Sequence, residues 1–288
     1  MENSITKDSL DSVRKARSKD DLFNDIRALM SADVEGKNVI ILVEGPDDEL
    51  FIESILPEYV QNIVCFESYS GVEGLLETLD AVKSEKYSPR VIGIRDKDYS
   101  NPSTYPPRLF SYDYCCLEMM LLHNDFVQRR VRENYEVADE RPFIPMFYMR
   151  MIAPYSMLRK WNEDNCAGIN FGRSGVLAGC GKNRFPNIEL LFSKCNHAEL
   201  YNEFSLKSQE LTDDDLWDIT QGHDICSLIG RFVSLGKRAV LGEAGLREFM
   251  FGLYRFEDFK NTKLFLALFN YFSENNFIPE NMYLSISS

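Results

Sequence analysis

The chain of 288 residues sets 32 Lys and Arg against 45 Asp and Glu, a formal net charge of −13, and 44% of it is hydrophobic. That is material for one or two globular domains with a buried core, and too apolar for a disordered chain. So acidic a chain excludes a protein that coats nucleic acid with a basic surface, and no uninterrupted apolar run approaches the roughly 18–20 residues that cross a bilayer.

The start, Met1–Asp11, is polar and has no secretory apolar stretch. Seven cysteines, an odd number at irregular intervals without a CxxC pair, predict reduced thiols in the cytoplasm. They supply neither a disulfide framework nor a zinc ribbon.

Apolar spacing predicts a helix over Ser9–Met30, ended by Ser31–Gly36. Asn38-Val-Ile-Ile-Leu-Val43 reads as a strand buried on both faces, as in a parallel sheet. It stops at Glu44-Gly45-Pro46-Asp47-Asp48, where turn and helix-start residues meet, and Asp47 reads as the cap. A helix follows to Pro57, then a short strand at Ile63–Phe66 and a helix from Gly71 to Val82. Arg90-Val-Ile-Gly-Ile94 is a third buried strand that runs directly into Arg95-Asp96-Lys97-Asp98. Strand, helix, strand, helix, strand is the signature of an α/β unit with a mostly parallel sheet.

Asn101–Arg108, with three prolines, reads as a loop, and Cys115–Leu122 and Phe126–Arg132 as helices. Charged, proline-flanked Glu133–Pro145 marks a domain boundary, and glycine-rich Ile169–Arg184 is irregular. Helices are expected at Asp213–Ile219, His223–Leu235, Ala244–Tyr254 and Phe259–Asn275. The organisation expected is a helical segment over 1–34, an α/β domain over 35–135 and a mainly helical domain over 136–288.

Ligands gather beyond the carboxyl ends of parallel strands, and two acidic clusters fall there. Glu44 follows the first strand, with Asp48 four residues on, and Asp96 and Asp98 follow the third. Alternation along an extended chain turns Asp96 and Asp98 to one side and Arg95 and Lys97 elsewhere. If the two strands are neighbours, the carboxylates converge, and their mutual repulsion calls for a cation. Hard oxygen ligands without imidazole suit Mg²⁺ or Mn²⁺, and the chemistry expected is metal-assisted attack on a phosphodiester. The alternative for these acids is helix capping or a solvated turn.

The stretch Val43-Glu44-Gly45-Pro46-Asp47-Asp48-Glu49-Leu50-Phe51, followed by Asp96-Lys-Asp98, resembles the Toprim signature, and within it the OLD-like nucleases. Tyr114-Cys-Cys-Leu-Glu118 resembles that group's later helix, whose glutamate completes the site. Gly222-His223-Asp224 resembles a motif of Toprim-like defence proteins, and the layout is similar to the Toprim effectors of PARIS-type anti-phage systems. The resemblance implies a Rossmann-like Toprim domain over 35–135 with a helical C-terminal domain. It makes Glu44 a metal ligand or general base, and Asp48, Asp96, Asp98 and Glu118 the remaining ligands of Mg²⁺ or Mn²⁺. It further implies a nuclease acting on tRNA or DNA in the cytoplasm, working with an ABC-type ATPase and not with a membrane.

Arg95 departs from the family's pattern, which has a small or apolar residue there, and a cation at that point weakens metal affinity. Lys97 and Lys182 are the candidates for a phosphate-stabilising lysine. Gly175–Gly181-Lys182-Asn183 is one residue too long for a phosphate-binding loop and lacks its Ser or Thr, so it does not mark an ATPase. His223 reads as a helix cap or support before a catalytic group, and the Phe- and Tyr-rich Phe249–Phe277 as core or a partner surface. With so acidic a surface, a partner, a homodimer or an activation step has to supply substrate binding. The rival reading is a non-catalytic scaffold or sensor module that binds a partner protein.

Overall fold

The computed structural model describes residues 18–56, 62–134, 136–137, 145–172, 175–180, 185–235, 239–240 and 242–276. The chain groups into two compact units. The first takes in residues 1–95, 104–111 and 259–288, and the second 96–103 and 112–258.

In the first unit, α1 (Lys19–Ala32) starts at Ser18, whose hydroxyl accepts the Asp21 N–H while the Asp21 carboxylate accepts the Ser18 N–H. Reciprocal bonds of this kind satisfy two of the donors a helix start leaves open. The expected beginning of this helix at residues 9–17 lies outside the described residues. Leu22, Ile26 and Met30, four apart, are buried along one face.

Then come β1 (Val39–Val43), α2 (Pro46–Ile55), β2 (Ile63–Glu67), α3 (Gly71–Ala81) and β3 (Val91–Arg95). All five residues of β1 are buried, as its unbroken apolar run requires. A fourth strand, β4 (Leu109–Ser111), follows directly on the Asn101–Arg108 segment read from sequence as loop. Three residues are too few to show alternation, so only pairing with a neighbour reveals them.

The sheet is parallel throughout, in the order β2-β1-β3-β4. The chain therefore reverses its direction of travel across the sheet between β1 and β3. Leu42 lies opposite Gly93, so Glu44 and Arg95 leave the sheet side by side. The helices α1 and α3 pack Leu22, Ile26, Met30, Leu75 and Leu79 onto Ile40, Leu42, Val91 and Leu109. Each such side chain contributes about 1.5–3 kcal/mol through removal from water.

Two half-buried arginines tie the unit's backbone together. Arg108, at φ 79°, donates to the carbonyls of Leu79, Ser88 and Val91 at 2.8–3.1 Å. Arg90 pairs with Asp33 and donates to the Asn38 carbonyl, just ahead of β1.

The second unit holds α4 (Leu117–His123), α5 (Asp125–Asn134), β5 (Glu136–Val137), α6 (Pro145–Asn165), α7 (Ile188–Lys194), α8 (Tyr201–Lys207), α9 (Asp213–Ile219) and α10 (Gly222–Phe232). After them come β6 (Val233–Leu235), β7 (Ala239–Val240) and α11 (Gly242–Leu253). The three short strands form an antiparallel sheet. The expected helix to Leu235 thus ends at Phe232 and continues as a strand. Leu158, Phe192 and Phe204 form one core of this unit.

Helix α12 (Phe256–Phe259) ends where the chain rejoins the first unit, and α13 (Lys263–Glu274) belongs there. Phe259 meets Phe51 edge-on at 6.4 Å and Phe265 at 5.6 Å, and the Tyr271 hydroxyl donates to the Pro89 carbonyl. The aromatic C-terminus is therefore largely core as far as residue 276, and Phe277 lies outside the described residues. Among the described residues no helix is long and apolar enough to cross a membrane.

Gly93 sits at the tightest point of the sheet. A methyl group there would lie 2.7 Å from Leu75 and 3.1 Å from both Leu79 and Leu109. Gly93→Ala is expected to cost about 1–3 kcal/mol through overpacking, read as a lower urea midpoint with an unchanged slope.

Candidate functional site

In a sheet of order β2-β1-β3-β4 the crevice for ligands opens at the carboxyl ends of β1 and β3, where the strand order reverses. Glu44 and Arg95 stand at those two ends. The Arg95 Nε lies 3.5 Å from the Glu44 Oε1, with 15% and 23% of the two side chains exposed, and the guanidinium sits 5.8 Å from the Tyr105 ring centre. Arg95 therefore turns to the acid, against the expectation from alternation.

The reason is register, since Leu42 lies opposite Gly93 and partners across a parallel ladder face the same side. Asp98 has φ 49°, so the chain is not extended there and the alternation of sides fails.

Gly45 is extended, which lets α2 start immediately after Glu44. The capping bond falls to Asp48, whose Oδ2 accepts the Gly45 N–H at 3.1 Å, rather than to Asp47. Cys65, on β2, is pushed well above the ordinary thiol value by burial and then by Glu49, Glu53 and Asp48. It remains a neutral thiol.

The second unit collects the other three acids around residues 115–118. Asp96 Oδ1 accepts the Leu117 N–H at 3.0 Å and so opens α4. The Asp98 N–H donates to the Cys115 carbonyl at 2.6 Å, and Asp98 Oδ1 accepts from the Gln221 amide at 3.0 Å. Glu118 is buried, with its Oε1 3.2 Å from the Arg247 Nε. Lys97 pairs with Asp218 at 2.9 Å, which assigns it a structural bond, and Lys182 lies outside the described residues. Gly181 and Asn183 of the loop-like stretch lie outside them as well.

The Gly222-His223-Asp224 triplet has three separate jobs. A methyl group on Gly222 would lie 2.5 Å from Cys116 Sγ and 2.6 Å from Glu118 Oε2, so only glycine fits beside that acid. His223 Nδ1 is 2.7 Å from Glu243 Oε1, and Glu243 also accepts from Ser227 and lies near Arg247.

Asp224, buried, meets Arg159 through two contacts of 2.5 and 3.1 Å and accepts the Val176 N–H. Arg159 in turn lies 4.4 Å over the Phe171 ring. His123 stacks on Tyr114, and His197 bonds Glu199, so neither is drawn into an acid cluster.

Sequence reading missed Gln221, Glu243 and Arg247, which hold candidate acids or their neighbours. The i, i+4 spacing of Glu243 and Arg247 was visible, but nothing in the sequence pointed it at Glu118. All seven cysteines are free thiols.

Five carboxylates without imidazole match a hard divalent cation by donor type. Among the described residues no group of three or more His, Cys, Asp or Glu is drawn together closely enough to hold a metal ion. Comparison with family models, with curated proteins and with solved structures finds no match.

Two outcomes are expected. Asp224→Ala leaves a buried guanidinium uncompensated and is expected to cost about 3–5 kcal/mol, measured by urea unfolding. The second concerns pH. Glu243 raises the His223 pKa above its ordinary 6.5 against the effect of burial, and His223 lowers that of Glu243 below 4.5. The pair thus contributes fully between those values, loses its contribution as pH rises through the raised imidazole pKa, and loses it again as pH falls through the lowered carboxyl pKa. The Tm difference between wild type and Glu243→Gln should be widest in that window and narrow on both sides.

Proposed function

We propose that the chain is a Mg²⁺- or Mn²⁺-dependent endonuclease of the Toprim type. In this reading it is a cytoplasmic effector of anti-phage defence that cleaves tRNA or DNA once activated by, or released from, an ABC-type ATPase. The observation that carries this reading is the placement of Glu44 at the switch point of a parallel four-stranded sheet, with Asp96 following the last residue of β3.

Glu44 is the ligand or proton acceptor at the reacting centre, and Asp96 and Asp98 share the catalytic role. Asp48 and Glu118 complete the ligand set. The cation supplies polarisation of the phosphate and a more acidic bound water. The chain's own contribution is placement. The Gly45 N–H holds Asp48, the Leu117 N–H holds Asp96 and the Gln221 amide holds Asp98, and in this reading the bound cation gathers the acids. The charge of −13 opposes indiscriminate binding to nucleic acid, which supports the requirement for an activating partner.

The second reading is a non-catalytic scaffold or sensor that binds a partner protein. It is favoured by the arginine partners of Glu44 and Glu118, which give both acids a structural role without a metal.

The experiment incubates the protein with tRNA and with plasmid DNA in Mg²⁺ or Mn²⁺, with and without an ABC-type ATPase from a neighbouring gene. Glu44→Ala runs in parallel. Metal-dependent cleavage lowered by about 10²–10⁴-fold in the variant is expected. Absence of cleavage under every condition, with the variant retaining protection against phage, would establish the scaffold.

A further inference from the structure

We propose that a cavity in the second unit binds one nucleoside 5′-monophosphate, with its base against the Phe171 ring and its phosphate on the Lys194 ammonium. The site shares no residue with the acid clusters, so it stands or falls separately from the nuclease reading.

The cavity has a volume of about 250 Å³ and lies between α6, the chain that follows it and α7. Every residue that lines it belongs to the second unit. Pockets for drug-sized ligands run to about 300–1,000 Å³. This smaller one suits a single ring system with one charged group, rather than a length of strand.

Its wall is aromatic. Phe171 meets Tyr155 edge-on at 5.6 Å, and both line the cavity. The Arg159 guanidinium covers one face of the Phe171 ring at 4.4 Å and lies outside the lining, paired with buried Asp224. The other face meets no ring or cation among the described residues. A nucleobase stacks on such a face whatever its identity, and Leu191 and Ala178 add apolar surface beside it.

Its charge is positive. Lys194, the last residue of α7, donates to the Ala178 carbonyl at 2.6 Å and pairs with no carboxylate among the described residues. An ammonium has three donors, so two remain and the charge is uncompensated. The other titratable groups of the wall are neutral, since burial raises the Tyr155 phenol and the Cys195 thiol above their ordinary values. In a chain of net charge −13 the cavity is thus a local site for an anion.

Asn170 supplies a polar group to fix orientation. Its Oδ1 accepts the Gly172 N–H at 2.8 Å, which leaves the amide NH₂ for an acceptor on the base or the ribose.

The test titrates the protein with AMP, GMP, CMP and UMP by calorimetry, in EDTA so that no divalent cation takes part. The parent nucleosides, ribose 5-phosphate and a single-stranded oligonucleotide run beside them. Wild type, Lys194→Met, Phe171→Leu and Glu44→Ala are compared, each checked by thermal melting. Wild type is expected to bind at least one monophosphate, about tenfold more tightly than its nucleoside and about tenfold more tightly than ribose 5-phosphate. Lys194→Met is expected to bind that monophosphate no better than its nucleoside, with nucleoside binding unchanged. Phe171→Leu should weaken both by about tenfold, and Glu44→Ala should bind as wild type does.

Wild type that binds none of the four, or binds the oligonucleotide alone, overturns the proposal. So does Lys194→Met that keeps its preference for the phosphate, or folded Phe171→Leu that binds undiminished. Loss of binding in Glu44→Ala overturns it as well, by placing the nucleotide at the acids of the first unit. If Phe171→Leu fails to fold, Lys194→Met decides through the ratio of nucleotide to nucleoside affinity. The nuclease reading is decided separately, by cleavage of tRNA and plasmid DNA.

Discussion

A carboxylate taken out of water must be met by a donor or a cation. That constraint organises both units of this chain. In the first, Glu44 is met by Arg95 and Asp48 by the Gly45 N–H. In the second, Asp96 is met by the Leu117 N–H, Asp98 by Gln221 and Glu118 by Arg247. Asp48, Asp96 and Asp98 each accept from a neutral donor, and both glutamates are met by a guanidinium.

Several arginines are likewise used inside the fold. Arg90 closes the turn before β1 with Asp33, and Arg108 gathers three carbonyls at the margin of the sheet. Arg159 ties α6 to α10 through Asp224. In each case a guanidinium satisfies several backbone or carboxylate acceptors that would otherwise be buried without a partner.

Much of the first unit was legible along the chain. Continuous β-branched runs mark β1 and β3, because a strand covered on both faces needs apolar residues at every position. Apolar spacing likewise marks α1 and α3, and Asp213–Ile219 coincides with α9. The short strand β4, the antiparallel sheet of β5, β6 and β7, and the long helix α6 were not legible. The strands are too short to carry a period, and α6 is apolar on nearly every side from Pro145 to Leu158, with Pro154 inside it, so it shows no single face. The return of α13 to the first unit was hidden for a different reason. Phe259 and Phe265 look alike whether they face Phe51 or another apolar surface.

The sequence by itself determined a parallel α/β core, the turn after β1 and the positions of the acids along the chain, because these follow from local periodicity and chain direction. Tertiary structure decided what each acid touches. Arg95 reaches Glu44 because Leu42 pairs with Gly93, and Arg247 reaches Glu118 from a helix more than a hundred residues away. Such partners depend on strand register and helix packing, which no local pattern encodes. The charge of −13 is likewise a sum over the sequence, while its meaning at Glu44 depends on one arginine placed beside it.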